Sequence, residues 1–115
     1  MLQDFFIRCD GKYIKIDPRE IKYVESVKNW VRINTITKTY LVLMSLRQME
    51  EELPGNLFCR VHRSFIVSLI HIHSFDQESV YMDCITIPIS PIFKNALYNK
   101  VKVLVCDTRR PAVEG

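Results

Sequence analysis

The sequence predicts a mainly β domain with antiparallel strands. Three observations lead to this fold class. Short strand-like runs follow one another at close spacing, an Asp-Gly pair separates the first two, and only one segment in the middle of the chain reads clearly as a helix. The 115 residues are 48% hydrophobic and 25% charged, which is typical of one globular domain. We expect a single folded domain over residues 1–106 and a flexible tail over residues 107–115.

The first half of the chain reads as strands joined by turns. Asp10-Gly11 predicts a tight hairpin, because both central residues of such a turn need positive φ. In the arm that follows, isoleucines alternate with a lysine, which predicts one buried and one solvent-facing side. The predicted strands are 5–9, 12–16, 21–26, 30–34 and 39–43, with breaks at 17–20, 27–29 and 35–38.

One short helix is predicted to come next. Ser45 is suited to be its N-cap, and Gln48 stands at the capping-box spacing. Pro54-Gly55 ends the segment. We interpret the glutamates at 50–52 as a solvated helix face and not as catalytic carboxylates. The predicted apolar stripe consists of Leu46, Met49 and Leu53.

The second half returns to short strands and closes with a helical segment. The predicted strands are 57–61, 64–67, 70–75, 79–82 and 85–89. Ser90 and Pro91 form a favourable helix start, because proline is well tolerated at the first helical position. The apolar face of this C-terminal segment is predicted to contain Ile92, Ala96, Leu97 and Val101.

Basic residues are unevenly distributed, although the net charge is only +3. Three stretches, 26–49, 54–75 and 84–106, carry lysine and arginine but no acid. Brought together by folding, they would form a basic face that attracts phosphate. They are equally compatible with ordinary solvated surface. The distribution alone leaves both interpretations open.

Enzymatic motifs are missing from the sequence. It contains no GxSxG turn, no glycine-rich phosphate loop and no HExxH zinc motif. Four zinc-competent side chains lie within fifteen residues, namely Cys59, His62, His71 and His73. We expect the last two to face solvent, because Ile70 and Ile72 alternate with them and take the core side. We therefore expect no enzyme activity, no metal site and no cofactor.

Targeting signals are also missing. The longest apolar runs are far shorter than the roughly 18 residues that a membrane span needs. Asp4 and Arg8 interrupt the region where a signal peptide would be apolar. We expect a cytoplasmic protein that does not bind membranes, with its cysteines reduced.

The segment Phe58–Leu69 carries the most information about function. Polar donors interrupt its apolar residues, and two of them stand side by side. Arg63 has a forked, permanently charged group suited to guanine or phosphate, and Ser64 can donate to a phosphate oxygen. Alternatively, His62 and Arg63 tie the loop to a carboxylate within the fold. The residues by themselves favour neither interpretation.

Four stretches in order give the chain a resemblance to the LytTR DNA-binding domain, the output domain of LytR/AlgR-type bacterial response regulators. The most specific are Phe58-Cys59-Arg60-Val61-His62-Arg63-Ser64-Phe65-Ile66-Val67 and Ile87-Pro88-Ile89-Ser90. The others run from Tyr13 to Ser26, from Trp30 to Val42, and from Ser45 to Pro54. The similarity covers about residues 5–102.

The resemblance implies an elongated stack of three small antiparallel sheets with one short helix and a C-terminal helical segment. It implies DNA reading by loops that enter successive major grooves, and thereby transcription regulation. The implied partners are double-stranded DNA with paired half-sites, a second copy on that DNA, and an N-terminal receiver domain of which this chain is expected to be the excised output domain.

Site residues follow from the resemblance and from side-chain chemistry together. Base contacts are expected from Lys28, Asn29 and Arg63, and backbone contacts from Arg32, Lys38, Ser64 and Lys94. His62 is expected to position the loop. Many relatives have a basic residue just after Ser90, where this sequence has Pro91-Ile92-Phe93-Lys94, so the third base contact departs from the family pattern.

A small β-rich protein-interaction or RNA-binding module without duplex specificity is the alternative function. Single-strand readers stack bases on exposed aromatic side chains. Most aromatic residues here fall in apolar strand runs, and Trp30 alone lies near a basic loop. This placement favours duplex DNA. The aromatic residues expected to be buried are Phe6, Tyr23, Phe58, Phe65 and Phe75.

Overall fold

A short antiparallel hairpin opens the fold. In the computed structural model, which describes residues 4–83 and 85–107, β1 (Phe5–Cys9) pairs with β2 (Lys12–Ile16). Asp10 and Gly11 join them at φ values of 50° and 75°, as the Asp-Gly pair predicts. The hairpin is a sheet of its own.

A five-stranded antiparallel sheet forms the centre of the domain. Its order is β5-β4-β3-β7-β6. Lys28, at φ 57°, and Asn29 make the tight turn between β3 and β4. The five strands lie close to the predicted ranges, and their bounds are β3 Ile21–Val27, β4 Trp30–Thr35, β5 Thr39–Val42, β6 Phe58–His62 and β7 Phe65–Ser68.

Helix α1 (Leu46–Glu52) connects β5 to β6 and begins with the predicted capping box. The Gln48 backbone N–H donates to Ser45 Oγ at 3.1 Å, and the Ser45 N–H donates to Gln48 Oε1 at 2.9 Å. These two bonds satisfy donors that a helix start leaves free. Leu46, Met49 and the following Leu53 are buried against the sheet.

A three-stranded sheet and a second helix complete the fold. β8 (Ser74–Phe75), β9 (Ser79–Tyr81) and β10 (Thr86–Pro88) pair antiparallel, and α2 (Lys94–Lys100) follows a 3-10 turn at Pro91–Phe93. Two further 3-10 turns lie at Pro18–Glu20 and Leu69–His71.

Three predictions about individual segments are wrong. The first half of the predicted strand 70–75 is the Leu69–His71 turn, which carries the chain from the central to the third sheet and leaves Ile70 55% exposed. Ile92 is 85% exposed because it lies in a 3-10 turn and not on the buried face of α2. Phe6 is 60% exposed, since it points away from the core on the two-stranded hairpin.

Strands β6 and β7 of the central sheet are buried on both faces. Ile66 on β7 packs with the hairpin and α1 on one face, whereas its neighbour Val67 packs with the third sheet and α2 on the other. Phe58 and Cys59 divide between the two cores in the same way. Burial on both sides explains why β7 begins with three consecutive apolar residues, Phe65, Ile66 and Val67.

The resulting domain is elongated and mainly β, as predicted. Its principal extents are 59 × 32 × 27 Å and its radius of gyration is 15.9 Å, compared with about 13 Å for a compact chain of this size. Within the described residues no helix is long and apolar enough to cross a membrane. Cys84 and residues 108–115, most of the predicted tail, lie outside the described part of the chain.

Candidate nucleic-acid interface

Two of the predicted contact loops lie at the same end of the central sheet. β7 runs antiparallel to β3, with Glu25 opposite Phe65. Beyond that pair, the Ser26 N–H donates to the Ser64 carbonyl oxygen at 2.9 Å. The β3–β4 turn, with Lys28 and Asn29, therefore lies beside the β6–β7 turn, with Arg63 and Ser64.

The third predicted contact region continues this edge. The Ser90 N–H donates to the Val61 carbonyl oxygen at 2.9 Å, which attaches the Pro91–Phe93 turn to the end of β6. At the other end of α2, Lys100 Nζ donates to the Phe58 carbonyl oxygen at 2.8 Å. Helix α2 thus runs back along β6. We call the β3–β4 turn, the β6–β7 turn and residues 91–94 together the contact row.

Each part of the contact row comes from one of the three acid-free stretches. The side chains of Lys28, Asn29 and Arg63 are exposed. The Arg63 guanidinium makes no hydrogen bond or ion pair with residues 4–83 or 85–107. It is therefore available to a partner outside the domain, and it does not tie its own loop to a carboxylate.

The His62 side chain contacts residues of the β6–β7 turn and the start of β7. The Ser64 backbone N–H donates to His62 Nδ1 at 3.0 Å, so that this nitrogen acts as an acceptor. The imidazole also meets the Phe65 ring edge-on, with 5.6 Å between ring centroids. These contacts link His62, which precedes Arg63, to Ser64 and Phe65, which follow it.

Arg60 is the residue that sequence reasoning missed. Its Nε donates to the His62 carbonyl oxygen at 2.8 Å and its Nη2 to the Arg63 carbonyl oxygen at 2.7 Å. Its Nη1 reaches Glu50 Oε1 at 3.0 Å, so Glu50 on α1 is not simply part of a solvated face. The sequence shows that Arg60 lies three residues before Arg63. It does not show the partners of Arg60, because they lie in the β6–β7 turn and in α1, which only the tertiary fold brings together.

Three predicted backbone contacts differ in their surroundings. Arg32 on β4 is engaged by Glu25 on β3, with 2.7 Å between Nη1 and Oε1. Lys38 is exposed in the β4–β5 turn, at the opposite end of the sheet from the contact row. Lys94 is exposed at the start of α2 and borders a cavity of about 680 Å³ that extends away from the row between α2 and the third sheet.

The zinc-competent residues do not come together. Among the described residues, no three side chains of His, Cys, Asp or Glu are grouped closely enough to hold a metal ion. Cys59 is buried, and this burial raises the pKa of its thiol. His71 Nε2 contacts the Arg19 carbonyl oxygen at 2.7 Å, and His73 pairs with Asp83 at 2.8 Å.

Comparison with known proteins gives one consistent result. The sequence profile of the LytTr DNA-binding domain matches residues 11–102. The chain is 33% identical over 96 residues to the sensory transduction protein LytT of Oceanobacillus iheyensis, covering 83% of this chain and 33% of that protein. It is also 37% identical over 59 residues to LytT of Bacillus anthracis, covering 51% of this chain and 24% of that protein.

A further relative and a solved structure extend the comparison. The chain is 32% identical over 63 residues to the CO-responsive transcriptional regulator RcoM of Rhodospirillum rubrum, covering 55% of this chain and 27% of that protein. It thus spans about a third or less of the relatives it matches. A solved LytTr DNA-binding domain from Bacillus cereus has the same fold, with a TM-score of 0.72, 23% identity, and coverage of 84% of this chain and 94% of that one.

Proposed function

Because the chain belongs to the LytTr DNA-binding domain family, whose profile matches residues 11–102, we propose that it binds double-stranded DNA sequence-specifically and regulates transcription as the output domain of a larger regulator. The contact row carries this proposal. Three largely exposed turns from the acid-free stretches lie side by side at one end of the central sheet, and the Arg63 guanidinium is free of partners among the described residues.

Base reading is assigned to the side chains that the row leaves exposed. Arg63 can fork onto guanine O6 and N7 in a major groove, and Asn29 can donate to and accept from adenine. Lys28 is the third candidate base contact. Ser64 and Lys94 are proposed to contact phosphates and to set the orientation on the duplex. Arg32 and Lys38 stay proposed backbone contacts, although they lie outside the row.

The length of the row fits two neighbouring grooves. The β3–β4 and β6–β7 turns are two strand spacings apart, about 10 Å, and a helix beside β6 adds roughly another 10 Å. A row of about 20 Å with extended side chains at its ends can cross one minor groove, about 6 Å wide, and enter both flanking major grooves. This geometry supports readout by loops.

The 91–94 end of the row is proposed to read DNA differently from the rest. Ile92 is 85% exposed and has no hydrogen-bonding group. An apolar side chain there can contact a thymine methyl group, whereas a guanine contact would need a donor. Lys94 supplies the positive charge at this end through a phosphate.

Paired half-sites are part of the proposal, because one domain with few phosphate contacts gains affinity from a second copy. Two copies on one face of the duplex require half-site centres separated by whole helical turns of about 10–10.5 bp each. Inserting about half a helical turn between the half-sites should abolish cooperative binding. Binding that is indifferent to the insertion would show that the two copies act independently.

An N-terminal receiver domain is the proposed source of control over DNA binding.

The test of DNA binding begins by selecting bound sites from a random duplex library. The chain should then prefer the selected duplex over random duplex and over single-stranded nucleic acid of the same length. Replacing Arg63 by Ala should cost about 1–3 kcal/mol on the selected duplex and relax one base position. Arg19→Ala, at the opposite end of the central sheet, is the control. A preference for single strands would instead support the RNA-binding alternative.

A further inference from the structure

We propose that Arg60 is a positioning residue that fixes the base-reading turn of Arg63 against the Pro91–Phe93 turn. It thereby couples two parts of the contact row. This inference rests on the proposed function, because it assigns a specificity-determining role within the same DNA-binding surface. It differs from a DNA contact in that Arg60 acts through Arg63 and does not touch the nucleic acid.

All three guanidinium nitrogens of Arg60 are used inside the domain. Nε and Nη2 donate to the carbonyl oxygens of His62 and Arg63 at 2.8 and 2.7 Å, so two successive residues of the turn are held by one rigid group. Nη1 donates to Glu50 Oε1 at 3.0 Å and thereby anchors the guanidinium to helix α1.

The same guanidinium lies over the ring of Phe93, with 5.8 Å between Cζ and the ring centroid. A cation at this distance from an aromatic face is attracted by the ring. Phe93 is the last residue of the Pro91–Phe93 turn, which follows Ser90 at the end of β6. Arg60 therefore contacts the β6–β7 turn, helix α1 and the third part of the row at once.

Burial excludes Arg60 as a reader of DNA. Its side chain is only 17% exposed, and each of its three guanidinium nitrogens already donates to a partner within the domain. Glu50 supplies the opposite charge that a mostly buried guanidinium needs. The pairing of β6 with β7 shifts register between Arg60 and His62, just before β6 ends at His62 and the turn begins.

Only a guanidinium can make this set of contacts. It is planar and presents five N–H donors in a fixed fork, whereas a lysine ammonium is a single point of charge. Arg60→Lys keeps the charge beside Glu50 but cannot hold both turn carbonyls and lie over Phe93. We therefore expect lysine to restore stability without restoring specificity.

The test compares Arg60→Met and Arg60→Lys with the unaltered chain on a selected duplex and on random duplex. For both variants we expect the affinity for the selected duplex to fall about tenfold and the affinity for random duplex to change by less than about twofold. The salt dependence on random duplex should stay the same, because no phosphate contact is lost. Arg19→Met is the matched control and should change none of these values.

A double-mutant cycle separates positioning from general loosening of the fold. In an Arg63→Ala background, Arg60→Met should change the ratio of selected to random affinity by less than about twofold, because the side chain through which Arg60 acts is gone. A purely structural role would instead give the same loss in both backgrounds. Urea midpoints are measured in parallel, and if Arg60→Met fails to fold, Arg60→Lys carries the comparison.

Two results would overturn the inference. One is a salt slope that falls by about one in Arg60→Met, which would make Arg60 a phosphate contact. The other is an unchanged preference for the selected duplex in both variants. If the unaltered chain itself shows no preference for any duplex, the proposed function fails, and this outcome is distinct from a failure of the Arg60 variants alone.

Discussion

Replacing Arg32 by Met tests whether this arginine stabilises the sheet or binds DNA. The sequence assigns it to a phosphate, whereas the structure pairs it with Glu25 directly across the strands β4 and β3. The Nη1 to Oε1 distance is 2.7 Å, and the two side chains are 39% and 27% exposed. Methionine keeps most of the aliphatic stem and removes only the charged fork.

The expected loss of stability follows from this half-exposed geometry. A cross-strand charge pair contributes about 0.2–1 kcal/mol, and an exposed ion pair about 0–1 kcal/mol. We expect Arg32→Met to lower the free energy of unfolding by about 0.5–1 kcal/mol, since it also leaves the Glu25 carboxylate without its partner. With a urea m-value of about 2 kcal/mol/M, the unfolding midpoint falls by roughly 0.3–0.5 M.

DNA binding by Arg32→Met and by a Glu25 variant decides whether Arg32 stabilises the sheet or contacts a phosphate. If Arg32 is engaged by Glu25 also on DNA, Arg32→Met leaves the salt slope on random duplex unchanged. Glu25→Gln, which frees the guanidinium, should make the slope steeper by about one. Arg19→Met, which removes one positive charge at the other end of the sheet where no DNA contact is proposed, serves as the control. If Arg32→Met leaves the urea midpoint unchanged and lowers the salt slope on random duplex by about one, the structural role is refuted and Arg32 is a phosphate contact.

Three further predictions concern other parts of the chain. Lys94→Ala should weaken binding to all duplexes by a similar factor and lower the salt slope by about one; altered base preference without weaker random binding would contradict this. Hydrogen bonds from the Glu78 backbone and from its other neighbours hold the pKa of Asp76 below its ordinary 3.8, so its contribution to stability is present above pH 3.8 and is lost as the pH falls through the lowered value. Asp76→Asn should therefore flatten the acid side of the urea midpoint plotted against pH, and an unchanged curve would contradict the assignment. A thiol reagent should modify the exposed Cys106 well before Cys59, whose burial raises its pKa, and equal rates in the folded protein would argue against that burial.

Local signals made much of the fold predictable. Asp10-Gly11 specifies its turn because few other pairs tolerate positive φ at both positions, and the hairpin forms there. Ser45 and Gln48 specify the start of α1 by bonds that lie entirely within four residues. The contact row was less local: the absence of acids in three separate stretches was compatible with a shared basic face and equally with ordinary solvated surface.

Tertiary packing determines the exposure of two apolar side chains that the sequence predicts to be buried. Ile70 reads as a core residue of a strand, yet the chain must turn there to reach the third sheet, so its side chain is exposed. Phe6 reads as buried because it lies in an apolar run, but the hairpin has only one face against the core. In both cases a pattern over a few residues cannot tell which face of an element another layer will cover.

Arg60 and Arg63 have the same side chain but different roles, because they lie at different positions in the fold. They stand three residues apart in the segment Phe58–Leu69, and side-chain chemistry alone does not distinguish them; the family resemblance is what pointed to Arg63. Arg60 belongs to β6. Its Nη1 donates to Glu50 on α1, which supplies the opposite charge, and its Nε and Nη2 donate to carbonyl oxygens at the turn. Arg63 lies in that turn and is exposed. A readout side chain must be free while its backbone is fixed. The first arginine supplies the fixed backbone that the second requires, so we expect changes at Arg60 to alter what Arg63 reads more than how strongly the domain holds DNA.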